Sequence, residues 1–391
     1  MTLEVGQDGA SVANRKSLTG EPALLISGDG VTYKNLAGGE LIAGGSSPAA
    51  ILQGVGTTLR NASGAQIRAH SAEAQAVVGS AETDTIINEG VISGGVLLGD
   101  GADRFVERGY TSRVDMGAGD DFFLLANGYM MAEAVEGGAG FDTVLLDGDY
   151  AQPVGYRIRG FERLELGARA TNIEGYSGFK EVVLSSGGSN NFFSSANPLA
   201  VLRLVEEVAP QQPWGQTVLV GSGSSFRTVI GTRTSDSFTM QDVSKIVGGV
   251  SLGGGDDRFL YEHRRAYSVA PSIGGMVLGG AGKDRVDIVV PDSRTIDVGA
   301  LFFGFEILGN GGLNGAGRGT RLSNADGFFE IHASAQRSLT LVDSDSPDAN
   351  LILGRASFTR LELSVTVGSV EAENWHYSSG PVSGDQVSVI N

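Results

Sequence analysis

The sequence predicts an all-β protein that folds as an elongated parallel β-solenoid with glycine–aspartate corners. Glycine supplies 60 of the 391 residues without a collagen-like period, so many tight turns are expected. Hydrophobic residues make up 41% of the chain, which is enough for a packed core. Short apolar runs recur at nearly regular spacing, as expected for repeats that bury their hydrophobic face by stacking.

The N-terminal part of the chain carries a long-period repeat. Residues 1–22 are small and polar and predict a cap or lead-in. Residues 23–95 predict β-helix rungs, because Asn35, Asn61 and Asn88 follow one another at intervals of 26 and 27 residues. Asparagines at one corner of successive coils can bond to their copies above and below, so a buried ladder is expected.

Residues 96–184 form the first glycine–aspartate module, in which a glycine-rich tetrad leads three times into an aspartate and an apolar run. The aspartates are spaced by 18 and then 21 residues. The paired glycines predict positive φ at a tight corner. The predicted corner residues are Gly99, Gly101 and Asp103; Gly117, Gly119 and Asp121; and Gly138, Gly140 and Asp142. The apolar residues expected to point inward are Phe105, Phe122, Leu124, Val144 and Leu146.

The same module returns in residues 229–310, around Asp236, Asp257 and Asp284. Asp142 and Asp284 are 142 residues apart, which indicates duplication of a module of that size. The remaining segments are less regular. Residues 185–228 predict irregular rungs with an insertion, and residues 311–391 predict C-terminal rungs and a cap. The charged run 262–265 is interpreted as a solvated loop.

Two resemblances to known families follow from these motifs. The tetrad resembles the G-G-x-G-x-D-x-U-x nonapeptide of RTX (haemolysin-type) calcium-binding proteins. The asparagine rungs, with the G-F-E runs at residues 160–162 and 304–306, resemble the passenger regions of bacterial autotransporters. The first resemblance implies calcium at the corner residues given above and at Asp257 and Asp284. A simpler alternative is that each aspartate only caps its corner by accepting backbone N–H bonds.

Composition and resemblance together favour a non-catalytic protein that is extracellular or lies on the bacterial cell surface. The net charge of −17 argues against nucleic acid as a partner. No run approaches the ~20 apolar residues of a membrane span. We expect an adhesin, passenger or surface-array component whose partner is a host or neighbouring-cell surface, a glycan, or further copies of itself. The alternative is a β-helical lyase or glycosidase acting on an extracellular polysaccharide, because 45 acidic residues supply many carboxylate pairs.

Overall fold

A computed structural model describes most of the chain and confirms the predicted all-β parallel β-solenoid class. The described residues are 1–126, 134–148, 157–167, 172–184, 189–205, 214–263, 269–290, 295–310, 320–325, 327–333, 338–353 and 360–372. Much of the predicted insertion (185–188 and 206–213) and the predicted C-terminal cap (373–391) lies outside them. The chain divides into two units, Met1–Val183 and Leu184–Asn391.

The first unit is built from short parallel strands that pair from one coil to the next. Its strands are β1 (Leu3–Val5), β2 (Ser11–Asn14), β3 (Ser17–Gly20), β4 (Leu24–Ile26), β5 (Thr32–Asn35), β6 (Glu40–Ala43), β7 (Ala50–Leu52), β8 (Thr57–Asn61), β9 (Gln66–Arg68), β10 (Gln75–Val78), β11 (Asp84–Asn88), β12 (Val91–Leu97), β13 (Arg104–Glu107), β14 (Tyr110–Ala118), β15 (Phe122–Ala126), β16 (Val135–Ala139), β17 (Thr143–Asp147), β18 (Ile158–Arg159), β19 (Arg163–Leu166), β20 (Asn172–Glu174) and β21 (Glu181–Leu184).

Coils in the first unit change from three strands to two at β12. The early coils stack as the columns β1–β4–β7–β10, β2–β5–β8–β11 and β3–β6–β9. The first residues of β12 pair with β9 and its last residues pair with β10, so two columns merge into one. Gly94 lies at the join with a φ of +123°, and a Cβ there would be 2.5 Å from the Cβ of Ala69. From this point Val96 pairs with Val114, which is one 18-residue coil.

The second unit has the same construction. Its elements are β22 (Ser189–Phe193), β23 (Ala196–Leu204), β24 (Trp214–Val220), β25 (Ser225–Ile230), β26 (Ser235–Met240), β27 (Lys245–Ile246), β28 (Val250–Gly254), β29 (Arg258–Glu262), β30 (Ser272–Ile273), β31 (Val277–Ala281), β32 (Arg285–Val289), β33 (Thr295–Asp297), α1 (Val298–Leu301), β34 (Phe302–Phe303), β35 (Ile307–Asn310), β36 (Thr320–Ser323), β37 (Glu330–Ala333), β38 (Ser338–Leu353) and β39 (Arg360–Ala372).

Two columns of strands run through the second unit, β23–β25–β28–β31–β34 and β22–β24–β26–β29–β32–β35–β37. A shorter column, β33–β36, is separate from these two. Strand β38 pairs with β36 near its start and with β37 near its end, so it joins this short column to the second long one, as β12 joins two columns in the first unit. In the part of the chain that the structure describes, the single α-helix has four residues and no helix is long and apolar enough to cross a bilayer.

The inward register follows a simple rule: the side chain two residues after each corner aspartate enters the core. Phe105, Phe123 and Val144 occupy this position in three paired strands and are all 0% exposed. Because successive strand residues face opposite sides, the expectation that Phe122 and Leu124 point into the solenoid is wrong. They lie on the other face of β15, where Leu124 is buried in a second hydrophobic cluster with Val106 and Ala126, and the half-buried Phe122 packs against that cluster. Phe123 and Leu125 point inward instead. The predicted inward positions of Phe105, Val144 and Leu146 are confirmed.

The expected asparagine ladder is also confirmed. The Nδ2 of Asn35 donates to Oδ1 of Asn61 at 3.0 Å, and the Nδ2 of Asn61 donates to Oδ1 of Asn88 at 2.9 Å. The ladder extends further than predicted in both directions. Asn14 donates to Asn35 at one end, and Asn88 donates to the buried carboxylate of Glu107 at the other. Buried amide groups are thereby satisfied coil after coil.

Candidate functional site: the aspartate corners

The glycine corners stack too closely for any side chain. Gly117 and Gly119 have φ values of +106° and +140°, which L residues rarely adopt. A Cβ on Gly117 would overlap the carbonyl oxygen of Gly99 in the preceding coil, and a Cβ on Gly119 would overlap that of Gly101. The amide of Ala118 meanwhile donates to the carbonyl of Gly99 at 2.8 Å. Glycine is therefore required by backbone contact between coils as well as by conformation.

The corner aspartates of the first unit form a hydrogen-bonded ladder inside the solenoid. The backbone N–H of Asp84 donates to Oδ1 of Asp103 at 2.7 Å, and that of Asp103 to Oδ1 of Asp121 at 2.7 Å. The N–H of Asp121 donates in turn to Oδ1 of Asp142 at 2.9 Å. All four side chains are buried. Each carboxylate thus accepts a bond from the preceding coil, as the corner-cap alternative expects.

An equivalent ladder runs through the second unit. The N–H of Gln216 donates to Oδ1 of Asp236 at 2.7 Å, that of Asp236 to Oδ1 of Asp257 at 2.6 Å, and that of Asp257 to Oδ1 of Asp284 at 2.8 Å. The structure therefore places all eleven predicted site residues at corners, and the five aspartates among them in two separate ladders. Asp103, Asp121 and Asp142 belong to one, and Asp257 and Asp284 to the other.

A glutamate ends each ladder, which sequence reasoning missed. The N–H of Asp142 donates to Oε2 of Glu162 at 3.0 Å, and the N–H of Asp284 donates to Oε2 of Glu306 at 2.7 Å. Both glutamates belong to the G-F-E runs noticed in the sequence. Glu162 and Glu306 replace aspartate as acceptors where the glycine tetrad is absent, so the run marks the last rung of each ladder.

The second carboxylate oxygen divides the corner aspartates into two groups. In Asp84, Oδ2 accepts the N–H and the hydroxyl of Ser80 at 2.8 and 3.1 Å. In Asp236, it accepts the N–H and the hydroxyl of Thr232 at 2.8 and 3.0 Å. Among the described residues, the buried Oδ2 atoms with no hydrogen-bond partner include those of Asp103, Asp121, Asp142, Asp257 and Asp284. Ser80 and Thr232 lie four residues before their aspartates, and in the other five corners the residue at that position is glycine.

Burial of these carboxyl groups disfavours their charged form. Desolvation, together with the neighbouring carboxylates, raises the pKa of Asp103 to about 7, that of Asp121 to about 6 and that of Asp257 to about 7. It also raises the pKa of Asp142 and of Asp284. The hydrogen bond from the neighbouring coil opposes this effect without cancelling it. A proton or a cation at Oδ2 would remove the cost of burying the charge.

Two corners carry consecutive aspartates, and each pair accepts hydrogen bonds from both neighbouring coils. Asp121 accepts from the preceding coil, whereas Asp120, on the outer side, accepts the N–H of Phe141 from the following coil at 2.8 Å. Asp256 does the same for the N–H of Lys283 at 2.9 Å, beside the inward Asp257. The Asp-Asp pairs are therefore explained by backbone capping in opposite directions.

The corner residues fit a cation in one respect. They supply buried, unpartnered anionic oxygens, the ligand type that calcium prefers. Within the described ranges, no group of three or more His, Cys, Asp or Glu side chains converges as a metal centre. A cation at these corners would therefore need backbone carbonyls to complete its oxygen shell.

The interpretation of run 262–265 as a solvated loop is wrong for its first two residues. Glu262 and His263 are each 1% exposed. The Nδ1 of His263 lies 2.7 Å from Oδ1 of Asp242, and Nε2 of Gln241 donates to Oε2 of Glu262 at 2.9 Å. Residues 264 and 265 lie outside the described residues. Polar partners on the preceding coil make burial of these two side chains possible.

Comparison of the chain with protein-family models, characterised proteins and solved structures gave no match. The resemblance to autotransporter passengers and RTX proteins therefore rests on residue patterns alone and stays a prediction. One signal in the sequence could have extended the aspartate ladder: Asp84 precedes Asp103 by 19 residues and has the apolar Ile86 two residues later, the same offset as Phe105 after Asp103.

Proposed function

We propose that this chain is a non-catalytic β-solenoid scaffold, secreted or displayed on a bacterial surface, whose outer coil faces carry adhesion or assembly. One observation carries the proposal. Carboxyl groups with strongly displaced pKa values usually suggest catalysis, yet here they are the interior corner aspartates. Each is hydrogen-bonded to the backbone of a neighbouring coil and is buried away from substrate. These groups serve the stacking of coils.

The surface role is tested on cells of the source organism. An antibody against the chain should label intact cells or detect the chain in the medium, and beads coated with the purified chain should bind to cells. Detection only after permeabilisation would contradict the proposal. Incubation with a panel of acidic and neutral polysaccharides tests the enzymatic alternative, and release of new sugar ends would mean that the chain is a lyase or glycosidase.

We further propose that calcium binds at the corner ladders and stabilises the stacked coils. The support is the set of buried Oδ2 atoms at Asp103, Asp121 and Asp142 in one ladder and at Asp257 and Asp284 in the other. Bound calcium would neutralise carboxylates whose burial is otherwise costly. Backbone carbonyls lie near two of these oxygens: a Cβ on Gly137 would be 2.3 Å from the carbonyl oxygen of Gly160 and 3.0 Å from Oδ2 of Asp142, and a Cβ on Gly279 would be 2.3 Å from the carbonyl oxygen of Gly304 and 2.6 Å from Oδ2 of Asp284. Oxygen ligands of both kinds are therefore present at these corners.

Thermal melts in EDTA and in calcium test this proposal. Extracellular calcium modules have dissociation constants near 10⁻⁴–10⁻³ M, so ~1 mM calcium stabilises by about 0.4–1.4 kcal/mol per occupied site. Asp121→Asn should reduce the calcium-induced rise in melting temperature. Asp84→Asn is the matched control, because the N–H of Ser80 already bonds to Oδ2 of Asp84. This variant should have a lower melting temperature than the parent but the same response to calcium. A parent chain whose melt is indifferent to calcium would leave the aspartates as corner caps only.

A further inference from the structure

Two arginines share one carboxylate on the outer face of strands β29 and β32. Arg258 and Arg285 are direct neighbours in register, and Asp287 follows Arg285 by two residues on the same face. The Nε and Nη2 of Arg258 each lie 2.7 Å from Oδ2 of Asp287. The Nε and Nη2 of Arg285 lie 2.9 and 2.8 Å from Oδ1. One buried carboxylate therefore holds two guanidinium groups side by side.

This cluster has a surplus positive charge that faces solvent. Both guanidinium groups are always charged, and the single carboxylate balances only one of them. The side chains of Arg258 and Arg285 are 53% and 32% exposed, whereas that of Asp287 is 1% exposed. Within the described part of the chain, Asp287 is the only hydrogen-bond partner of either guanidinium group. Because each guanidinium carries five N–H donors, donors remain for a ligand.

The neighbouring coil is shaped around this cluster. Gly309 in β35 pairs with Asp287, and a Cβ at Gly309 would overlap Oδ1 of Asp287 and lie 2.5 Å from Nη2 of Arg285. The glycine therefore leaves room for the guanidinium of Arg285. Leu260 and Ile307, both half-buried, flank the arginines on the same face and provide apolar surface beside the charge.

An arginine that follows a ladder residue in the first unit has the opposite charge balance. Arg163 directly follows the ladder residue Glu162, just as Arg285 directly follows Asp284. Its guanidinium lies between two carboxylates, 2.7 Å from Oε1 of Glu165 and 3.2 Å from Oε2 of Glu181. The arginine after the last ladder residue of the first unit is thus compensated by two carboxylates, whereas Arg285 belongs to a positive cluster.

We propose that the Arg258–Arg285 pair binds the carboxylate or sulfate group of an acidic saccharide. Guanidinium groups bind such oxyanions through two parallel N–H···O bonds, and Asp287 holds the two groups oriented before the ligand arrives. The apolar side chains of Leu260 and Ile307 favour an organic ligand over a free inorganic ion. The choice of a saccharide rests on the proposed surface role, whereas the oxyanion site rests on the geometry at Asp287.

Calorimetric titration of the full chain at low ionic strength tests the site. The probes are a heparin-derived hexasaccharide for sulfate, a galacturonate hexamer for carboxylate and maltohexaose as the neutral control. Binding of at least one acidic probe is expected, with no binding of maltohexaose. Arg258→Gln should weaken it about tenfold or more, because charge-assisted hydrogen bonds are lost. Arg163→Gln removes the same charge from the compensated position and should change affinity by less than about twofold.

Three results would overturn the inference: no binding of either acidic probe, binding of all three probes alike, or equal losses in the Arg258 and Arg163 variants. If circular dichroism shows that Arg258→Gln disturbs the fold, Arg258→Lys is tested instead. Lysine keeps the charge but lacks the planar guanidinium group, so parental affinity in the Arg258→Lys variant would also refute the site. Cell binding by beads separates the two proposals. Beads that still bind cells although neither probe binds would contradict only the saccharide site, whereas a probe-binding chain found only inside cells would contradict the surface role.

Discussion

Phe122 and Phe123 are adjacent, chemically identical and on opposite faces of β15, so they test the inward register directly. Phe123 is 0% exposed and stacks on Phe105 with ring centroids 5.6 Å apart; Phe161 packs on its other side at 6.4 Å. Truncation of a buried phenylalanine to alanine costs about 3–5 kcal/mol. Each aromatic pair accounts for about 0.5–1.5 kcal/mol within that cost. Phe123→Ala should therefore strongly destabilise the first unit.

Phe122→Ala is the matched variant and should cost much less. Phe122 is half-buried, and the guanidinium of Arg104 lies 4.4 Å from its ring centroid. A cation–π contact at an exposed site contributes about 0.5–1 kcal/mol, and the partial burial of the ring adds about 1 kcal/mol. The total is about 2 kcal/mol. The two variants should thus differ by about 1–3 kcal/mol although their compositions are identical.

Hydrogen exchange measured by mass spectrometry on peptides that cover β13 to β17 is the suitable assay. Both tryptophans, Trp214 and Trp375, lie outside the first unit, so tryptophan fluorescence would not report on it. Exchange protection of these strands should drop much further in Phe123→Ala than in Phe122→Ala. Equal losses, or a larger loss in Phe122→Ala, would refute the rule that the second residue after each corner aspartate faces the core.

Two further predictions concern the buried polar ladders. Because the pKa values of Asp103, Asp121 and Asp257 are raised, the folded chain holds protons that the unfolded chain releases. This stabilisation is full below about pH 4 and is lost as the pH rises through about 6–7. Urea unfolding in EDTA should therefore give a lower free energy of unfolding at pH 8 than at pH 5, and a flat profile would contradict burial of these carboxyl groups. Asn61→Ala removes three hydrogen bonds, from Asn35 and to Asn88 and the carbonyl of Val91, and should cost about 2–4 kcal/mol in urea unfolding. The exposed neighbour Arg60→Ala should cost about 1 kcal/mol or less, and similar costs would mean that the ladder contributes little.

Regularity decided how much of this fold the sequence predicted. Asn35, Asn61 and Asn88 recur at nearly constant spacing with the same residue type, so both their corner and their mutual bonds were predictable. The orientation of Phe122 and Phe123 was predicted wrongly, because two adjacent identical side chains show no alternation between apolar and polar residues. The neighbouring coils indicate the correct orientation, because Phe105 and Val144 both lie two residues after their aspartates and pair with Phe123.

The rungs that lack the glycine motif were hidden from sequence reasoning. At Asp84 the hydroxyl and N–H of Ser80 satisfy the second carboxylate oxygen, so no glycine marks that corner. At Glu162 a longer side chain accepts the bond that an aspartate accepts elsewhere. The unpartnered Oδ2 atoms and the Arg258–Asp287–Arg285 cluster depend on side-chain orientation and on contacts between coils, which spacing alone does not specify.

The corner ladder runs one way, since each aspartate donates its N–H to the carboxylate of the following coil. A one-way chain of donors has a head and a tail of different chemistry. In the first unit the hydroxyl of Thr57 supplies the head by donating to Asp84, and Glu162 forms the tail. In the second unit these ends are Gln216 and Glu306. Whole coils can therefore be inserted or deleted between the two ends without leaving a buried polar group unpaired. Such a module can change length in steps of one coil while both ends of the ladder stay the same.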